Sequence, residues 1–351
     1  MAKIEDVAKH AGVSTMTVSR CINNTGYVSK KTRLKIENAI NELNFRTNLV
    51  AKSLVTKKTM TIGLIIASIT DPFYPDLVLG VEDEAYSRGY NVILCNSDGK
   101  KKENEYIEIL HDRYVDGIVF AHLNIDAEQI QMLNDMNIAS VLIDNEINDV
   151  ESSSVTTNDI LGGFLATEHL IQLGHREIGL IHGSLCYNEQ KEKRRYQESF
   201  QFRIWNDRMK GYIEALNKYG INVNKNYIVG GDEIEEHSEV DLGYLAMNKI
   251  LRKSQRPTAI YAQNDLMAIG AINAIVESGY KVPEDFSVVG HDGISIGEMI
   301  YPKLTTVDQP RYETGRIATD ILIKYITNKE KQNIQLDPKL VIKGTSSKFE
   351  L

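Results

Sequence analysis

Two groups of side chains in this sequence have the types and spacing to bind a partner. Near the N-terminus, Thr15, Met16, Ser19 and Arg20 fall on the side of a helical pattern opposite Val18 and Ile22, so hydroxyls, a thioether and a guanidinium share one short face. Such an arginine can donate two hydrogen bonds to a guanine, while a threonine and a methionine offer a hydroxyl and an apolar contact to thymine methyls. Farther along, carboxylates and amides recur where apolar strand-like runs end, Asp71, Asp144, Asn264 and Asp292 among them. A sugar ring needs bidentate polar groups around its rim and an aromatic wall. The same residue types also cap helices and close turns, and that reading stands beside the first.

Bond-making chemistry is not signalled. No phosphate-cradling glycine loop, zinc spacing or nucleophile elbow occurs, so an enzyme, such as a glycosidase with paired carboxylates, is not expected. The three cysteines, Cys21, Cys95 and Cys186, are odd in number and have no metal or redox spacing, which fits reduced thiols in a cytosol. No metal and no cofactor is expected. The apolar run 62–69 is far short of the ~20 residues of a membrane helix, and the chain opens on a charged amphipathic segment rather than a signal peptide. A cytoplasmic protein without a membrane partner is the expectation.

A net charge of −8 hides an asymmetry. Residues 1–60 hold 11 Lys/Arg and 4 Asp/Glu, whereas the remainder holds 29 and 44. A basic module is thus joined to an acidic body. Counterion release draws the first toward phosphates, and repulsion keeps the second off a duplex.

Helical spacing organises the basic module. Ile4, Val7, Ala8 and Ala11 line one face of a first helix, Gly12 supplies a left-handed turn, and Ser14 caps a second helix with Val18 and Ile22 inside. A third segment, 31–43, presents Ile36, Ala39, Ile40 and Leu43. Periodicity alone allows either a helix-turn-helix or a plain three-helix bundle.

The run Ile4-Glu-Asp-Val-Ala-Lys-His-Ala-Gly-Val-Ser-Thr-Met-Thr-Val-Ser-Arg20 resembles the headpiece of the lac repressor (LacI/GalR) family. The resemblance implies that Thr15, Met16 and Arg20 read base edges of operator DNA, while Ser14, Thr17, Ser19, Asn23 and Tyr27 serve as caps and phosphate contacts. The segment Asn48-Leu-Val-Ala-Lys-Ser-Leu54 is similar to the family's hinge helix, with Asn48 as cap and Ala51 within it. Two turns are marginal alone in water, so this helix is expected to fold on DNA beside its copy from a second subunit, with Leu54 in the minor groove. Thr47 stands where the family usually has proline, which loosens the hinge entry.

From residue 61 onward, strand-like runs alternate with amphipathic stretches, the pattern of parallel sheets covered by helices. Asp71-Pro-Phe-Tyr, Val115-Asp-Gly-Ile, Asn264-Asp-Leu-Met-Ala-Ile-Gly and Pro302-Lys-Leu-Thr-Thr-Val extend the resemblance, which implies a core like the type I periplasmic sugar-binding proteins. The expected organisation is an all-α helix-turn-helix headpiece (1–47), a hinge (48–60) and an α/β body of two parallel-sheet lobes (61–351). Lobe one is placed at about 61–160 and 292–325, lobe two at about 161–291 and 326–351, with crossings near Asp292 and Tyr325. The resemblance also assigns Asp71, Phe73, Tyr74, Asp144, Arg208, Asn264 and Asp292 to an effector pocket between the lobes.

One segment departs from the family. Between Gly183 and Gly211 the chain is about a dozen residues longer than usual, and the excess reads as a loop leading into Arg208 at the start of a helix. It is either a solvated excursion or a segment from which Arg194, Arg195 or Arg203 reaches the cleft mouth, with Trp205 or Tyr196 as a lid. In the second case, with Arg311 nearby, the effector is a sugar acid or sugar phosphate. The overall expectation is a homodimeric repressor of carbohydrate genes that binds a pseudo-palindromic operator and is set by a sugar-like effector. The alternatives are a global regulator governed by a protein corepressor and, more remotely, a transport-type sugar-binding protein.

Arg20→Ala should cost about 1–3 kcal/mol at one base position of each half-site and relax specificity there. Binding titrations against operators varied base by base would contradict the base-reading role if affinity fell equally for all.

Overall fold

The computed structural model describes residues 2–23, 25–45, 58–97, 100–123, 125–147, 152–183, 200–230 and 238–349. Asn48, Ala51 and Leu54 of the hinge, and Arg194 and Arg195 of the long segment, lie outside the described residues. Two compact units emerge, residues 1–59 and 60–351.

The small unit holds α1 (Ile4–Ala11), α2 (Thr15–Asn23) and α3 (Lys30–Glu42). Gly12 ends α1 at φ +66, where a β-carbon is disfavoured, and its N–H returns to the carbonyls of Ala8 and Lys9. Ser14 Oγ accepts the Thr17 N–H at 3.2 Å and so starts α2 at the next residue, Thr15. Val7, Ala8, Ala11, Val18, Cys21, Ile36 and Ala39 form the core. On α2 the second fully inward residue is Cys21, one position before the expected Ile22, which is only partly buried. The face carrying Thr15, Met16 and Arg20 is left to solvent.

In the large unit, the first sheet contains β1 (Thr61–Ile66), β2 (Asn91–Asn96), β3 (Gly117–Ala121), β4 (Ala139–Ile143), β5 (Ser153–Thr157) and β11 (Asn333–Leu336), in spatial order β11-β5-β4-β3-β1-β2. The second contains β6 (Ile178–His182), β7 (Ile228–Gly230), β8 (Ala259–Ala262), β9 (Ser287–Asp292), β10 (Thr305–Asp308) and β12 (Lys339–Val341), in order β12-β10-β9-β8-β6-β7. Every pairing is parallel except β10 with β12. The helices are α4 (Tyr74–Ser87), α5 (Lys100–Asp112), α6 (Ala127–Asp135), α7 (Asp159–Gln172), α8 (Phe200–Lys218), α9 (Glu239–Leu251), α10 (Asp265–Glu277) and α11 (Arg311–Asn328). Strands β1, β3 and β4 are buried almost throughout, which is why they read as continuous apolar runs.

The lobe crossings differ from expectation. Strands β9 and β10 are hydrogen-bonded neighbours in the second sheet, so the chain returns to lobe one after Asp308 rather than at Asp292. Helix α11 then packs in the core of the first sheet through Ala318, Ile321 and Leu322, and β11 pairs with β5. The final crossing falls between Leu336 and Lys339 rather than at Tyr325. Strand β11 has only a half-buried alternating pattern and gives little apolar signal.

Three helix pairs cross at reciprocal glycines. A β-carbon on Gly80 would meet the Tyr312 carbonyl oxygen at 2.0 Å, and one on Gly315 the Leu77 oxygen at 2.2 Å, which clamps α4 to α11. Gly163 and Gly211 do the same for α7 and α8, each with a backbone oxygen 2.0 Å from the would-be carbon, and Gly243 with Gly270 for α9 and α10. The closest approach is backbone to backbone, so no rotamer change relieves it. Gly163→Ala should therefore destabilise by about 1–3 kcal/mol or more through overpacking. A lower urea midpoint at unchanged slope is the expected readout, and an unchanged midpoint would contradict the contact.

Candidate nucleic-acid face and small-molecule cleft

On the small unit, Thr15, Met16, Arg20, Asn23 and Tyr27 are exposed, with Tyr27 at 90%. Thr17 and Ser19 are partly buried and locally bonded, Thr17 Oγ1 to Ser14 Oγ at 2.9 Å and Ser19 Oγ accepting from Asn23 at 3.3 Å. The geometry thus separates helix-starting groups from those free to meet a duplex edge.

In the large unit a cleft of about 510 Å³, open to solvent, is lined by Asp71, Phe73, Tyr74, His122, Ile204, Trp205, Arg208, Glu239, Asn264 and Asp292. Parallel strands explain the convergence. Asp71, Phe73 and Tyr74 follow β1, His122 follows β3, Asn264 follows β8, and Asp292 ends β9, so all lie at carboxyl ends of strands, where ligands of open α/β sheets bind. Three residues at these ends, His122, Asp144 and Asp292, have positive φ (57°, 51° and 115°). That backbone is costly for a side chain with a β-carbon and tends to collect at functional sites.

Arg208 is the buried hub. Its Nε donates to Asp159 Oδ1 at 2.8 Å, and Nη1 lies 3.2 Å from Asp292 Oδ1 while also donating to the Gln263 carbonyl. Burial opposes its charge, but Asp159 and Asp292 outweigh burial and hold the guanidinium protonated. The carboxyls of Asp159 and Asp292 are each pushed up to about 6, by burial first, with Arg208 pulling the other way. Glu239 is pushed up to about 8 by burial and then by Asp71 and Asp292, against a hydrogen bond from Asn264. Asn264 does double service, since its Oδ1 caps α10 by accepting the Met267 N–H at 2.7 Å.

Aromatic rings close one side. Phe73 meets His122 edge-on at 4.8 Å between centroids, and Tyr74 meets both at 5.6 Å. Behind this wall Asp144 accepts the Thr157 N–H at 2.7 Å and pairs with His122 Nε2 at 2.8 Å. Burial pushes its carboxyl up, yet the bond and charge of His122 hold it below the usual range.

Of the residues assigned from sequence, Asp71, Phe73, Tyr74, Arg208, Asn264, Asp292 and Trp205 come together at the cleft. Asp144 lies one layer back and reaches the cleft through His122. Arg203 and Arg311 do not line it. The first donates to the Asp144 carbonyl at 2.6 Å, and the second is buried on Asp76, Gly293 and the Asp292 carbonyl. Arg208 sits well inside α8 rather than at its start, because part of the long segment is helical from Phe200. His122, Ile204 and Glu239 were not foreseen. His122 had a readable signal, since it follows β3 as Asp144 follows β4, and Ile204 stands one turn before Arg208; Glu239 offered only a Ser238-capped helix start.

Residues 3–48 match the model for bacterial regulatory proteins of the lacI family, and residues 167–346 match a periplasmic binding protein-like domain. The chain is 36% identical over 348 residues to the HTH-type transcriptional repressor PurR of Photobacterium profundum, covering 98% of each. It is 36% identical over 350 residues to the ribose operon repressor of Escherichia coli K12, covering 99% of this chain and all of that one. Among solved structures, the lac repressor dimer bound to operator and the anti-inducer ONPF superposes with a TM-score of 0.80 at 28% identity, over 99% of each chain.

The raised carboxyls give the body a pH dependence. Glu239, at about 8 when folded against an ordinary 4.5, contributes fully below the lower value and loses that contribution as pH rises through the higher. Glu239→Gln, which does not titrate, should lose less stability than the parent between pH 5 and 8.5. Urea midpoints at the two pH values test this, and parallel losses in both proteins would refute it.

Proposed function

Because the chain belongs to the lacI family of bacterial regulatory proteins, we propose that it is a transcriptional repressor whose hold on operator DNA is set by a neutral, hydroxyl-bearing small molecule, in the first instance a sugar, bound in the cleft. The observation that carries the ligand class is the polarity of the lining. Asp71, Glu239 and Asp292 present carboxyl groups, while Arg208, the one guanidinium lining the cleft among the described residues, is already paired with Asp159 and Asp292. Sugar hydroxyls both donate and accept, so the carboxylate of Asp71 can accept from them and the protonated acid of Glu239 can donate to them, and the rings of Phe73, Tyr74 and Trp205 suit the apolar faces of a sugar. An anionic effector finds no such welcome among the described residues, since Arg203 and Arg311 are spent on protein oxygens. The relative named for a ribose operon supports the same class.

DNA recognition is assigned to the exposed face of α2, with Arg20 as the guanine reader and Thr15 and Met16 beside it. A homodimer on a pseudo-palindromic operator places two such faces in successive major grooves, and the site of action is the cytoplasm, where the chromosome lies. Coupling is by linkage: a ligand that favours one lobe arrangement shifts DNA affinity by its differential affinity for the two arrangements.

A thermal-shift series on the full chain with neutral pentoses and hexoses, their acids and their phosphates tests the proposal. At a concentration of 100 times Kd a ligand of the native state adds about 2.7 kcal/mol, which reads as a clear rise in Tm. A neutral sugar should raise Tm and change operator affinity, and its acid and phosphate should not. Binding confined to the charged forms would overturn the neutral class.

A further inference from the structure

Helix α8 contributes more to the cleft than Arg208. Ile204 and Trp205, one turn upstream, share its cleft-facing side. Trp205 is fixed from three directions. Its ring lies on Gly183, where a β-carbon would come within 2.8 Å, its carbonyl accepts Gln263 Nε2 at 2.8 Å, and the Arg208 guanidinium sits 5.8 Å from its centroid. Helix α8 belongs to the layer of the second sheet, with Tyr212 donating to the Ile178 carbonyl at 2.8 Å. Arg203 nevertheless crosses to the first sheet and donates to the Asp144 carbonyl at the end of β4, at 2.6 Å. The same Asp144 holds His122, a ring of the opposite lobe's cleft wall.

We infer that the Arg203–Arg208 stretch is the size gate of the cleft, with Ile204 and Trp205 filling the room a second sugar ring would take and Arg203 holding them in place from the other lobe. The cleft's volume of about 510 Å³ includes its open mouth. The enclosed space is only about 90 Å³, well under the ~300–1,000 Å³ range of small-molecule pockets, which leaves no room for two rings. Ile204 and Trp205 are therefore specificity-determining residues, and Arg203 is a positioning residue that acts through Asp144. The inference rests on the sugar-binding reading above.

Calorimetry on the full chain with ribose, glucose and galactose as single-ring probes, and cellobiose and maltose as two-ring probes, tests the gate. The parent protein should bind a single-ring probe and neither disaccharide. Trp205→Ala should gain a disaccharide by at least about tenfold in affinity, and Arg203→Gln should shift the single-ring to two-ring ratio in the same direction, with Arg203→Lys restoring part of it. A change in that ratio is not what mere loss of stability produces. If Trp205→Ala does not fold, Ile204→Ala opens the same wall with a smaller loss of packing. A parent that binds a disaccharide, or variants that keep the parent's ratio, would overturn the gate and leave the sugar reading standing. No binding of any sugar by parent or variants would overturn both.

Discussion

The buried guanidinium of Arg208 is the interaction on which the body's architecture turns. Its two carboxylates come from the start of α7, where the chain has just left the first sheet, and from the end of β9 in the middle of the second. A charge taken out of water is costly unless paired and hydrogen-bonded, and removing one partner strands the other. Arg208 therefore fixes α7, α8 and β9 at one point. That point is the cleft wall, so the part of the molecule least able to relax is the part that faces the ligand.

Close backbone packing makes this possible. Gly163 lies on the carbonyl of Arg208 itself, and Asp159 stands one turn earlier on the same helix. The glycine crossing thus sets the distance over which the ion pair forms. Equivalent crossings clamp α4 to α11 and α9 to α10. Helix α11 is laid on lobe one immediately after the chain leaves β10. Arg311, its first residue, spans that passage: it reaches Asp76 on α4 and the Gly293 carbonyl beyond β9. Lobes tied at a few such points can shift as bodies while each keeps its packing, which is what a ligand-set equilibrium between two arrangements requires.

The cleft also shows how a residue can be both a cap and a ligand contact. Asp71 closes a turn by accepting the Phe73 N–H at 2.8 Å, and Asn264 caps α10, yet both line the cleft. The two readings of strand-end polar residues need not compete, because one oxygen can serve the backbone while the remaining polar atoms face the cavity.

By itself the sequence determined the small unit and the parallel-sheet class of the body. A 3.6-residue apolar spacing with Gly12 and Ser14 places the ends of α1 and α2, the motif resemblance then selects the helix-turn-helix over a plain three-helix bundle, and strands buried on both faces must be apolar runs, so β1, β3, β4 and β6 were legible. Strand β5 was not, because Ser153-Ser-Val-Thr-Thr157 is polar and is buried only by virtue of its neighbours β4 and β11. Six of the seven sequence-assigned cleft residues line the cleft because each is tied locally to a strand end or a helix. Only tertiary structure decided the rest: where the chain crosses between lobes, that Arg203 and Arg311 are committed to protein oxygens, and that Glu239 completes the wall. The reason is physical. Local periodicity is written into adjacent residues, whereas the partner of a buried charge and the neighbour of a bare glycine are set by elements dozens of residues away.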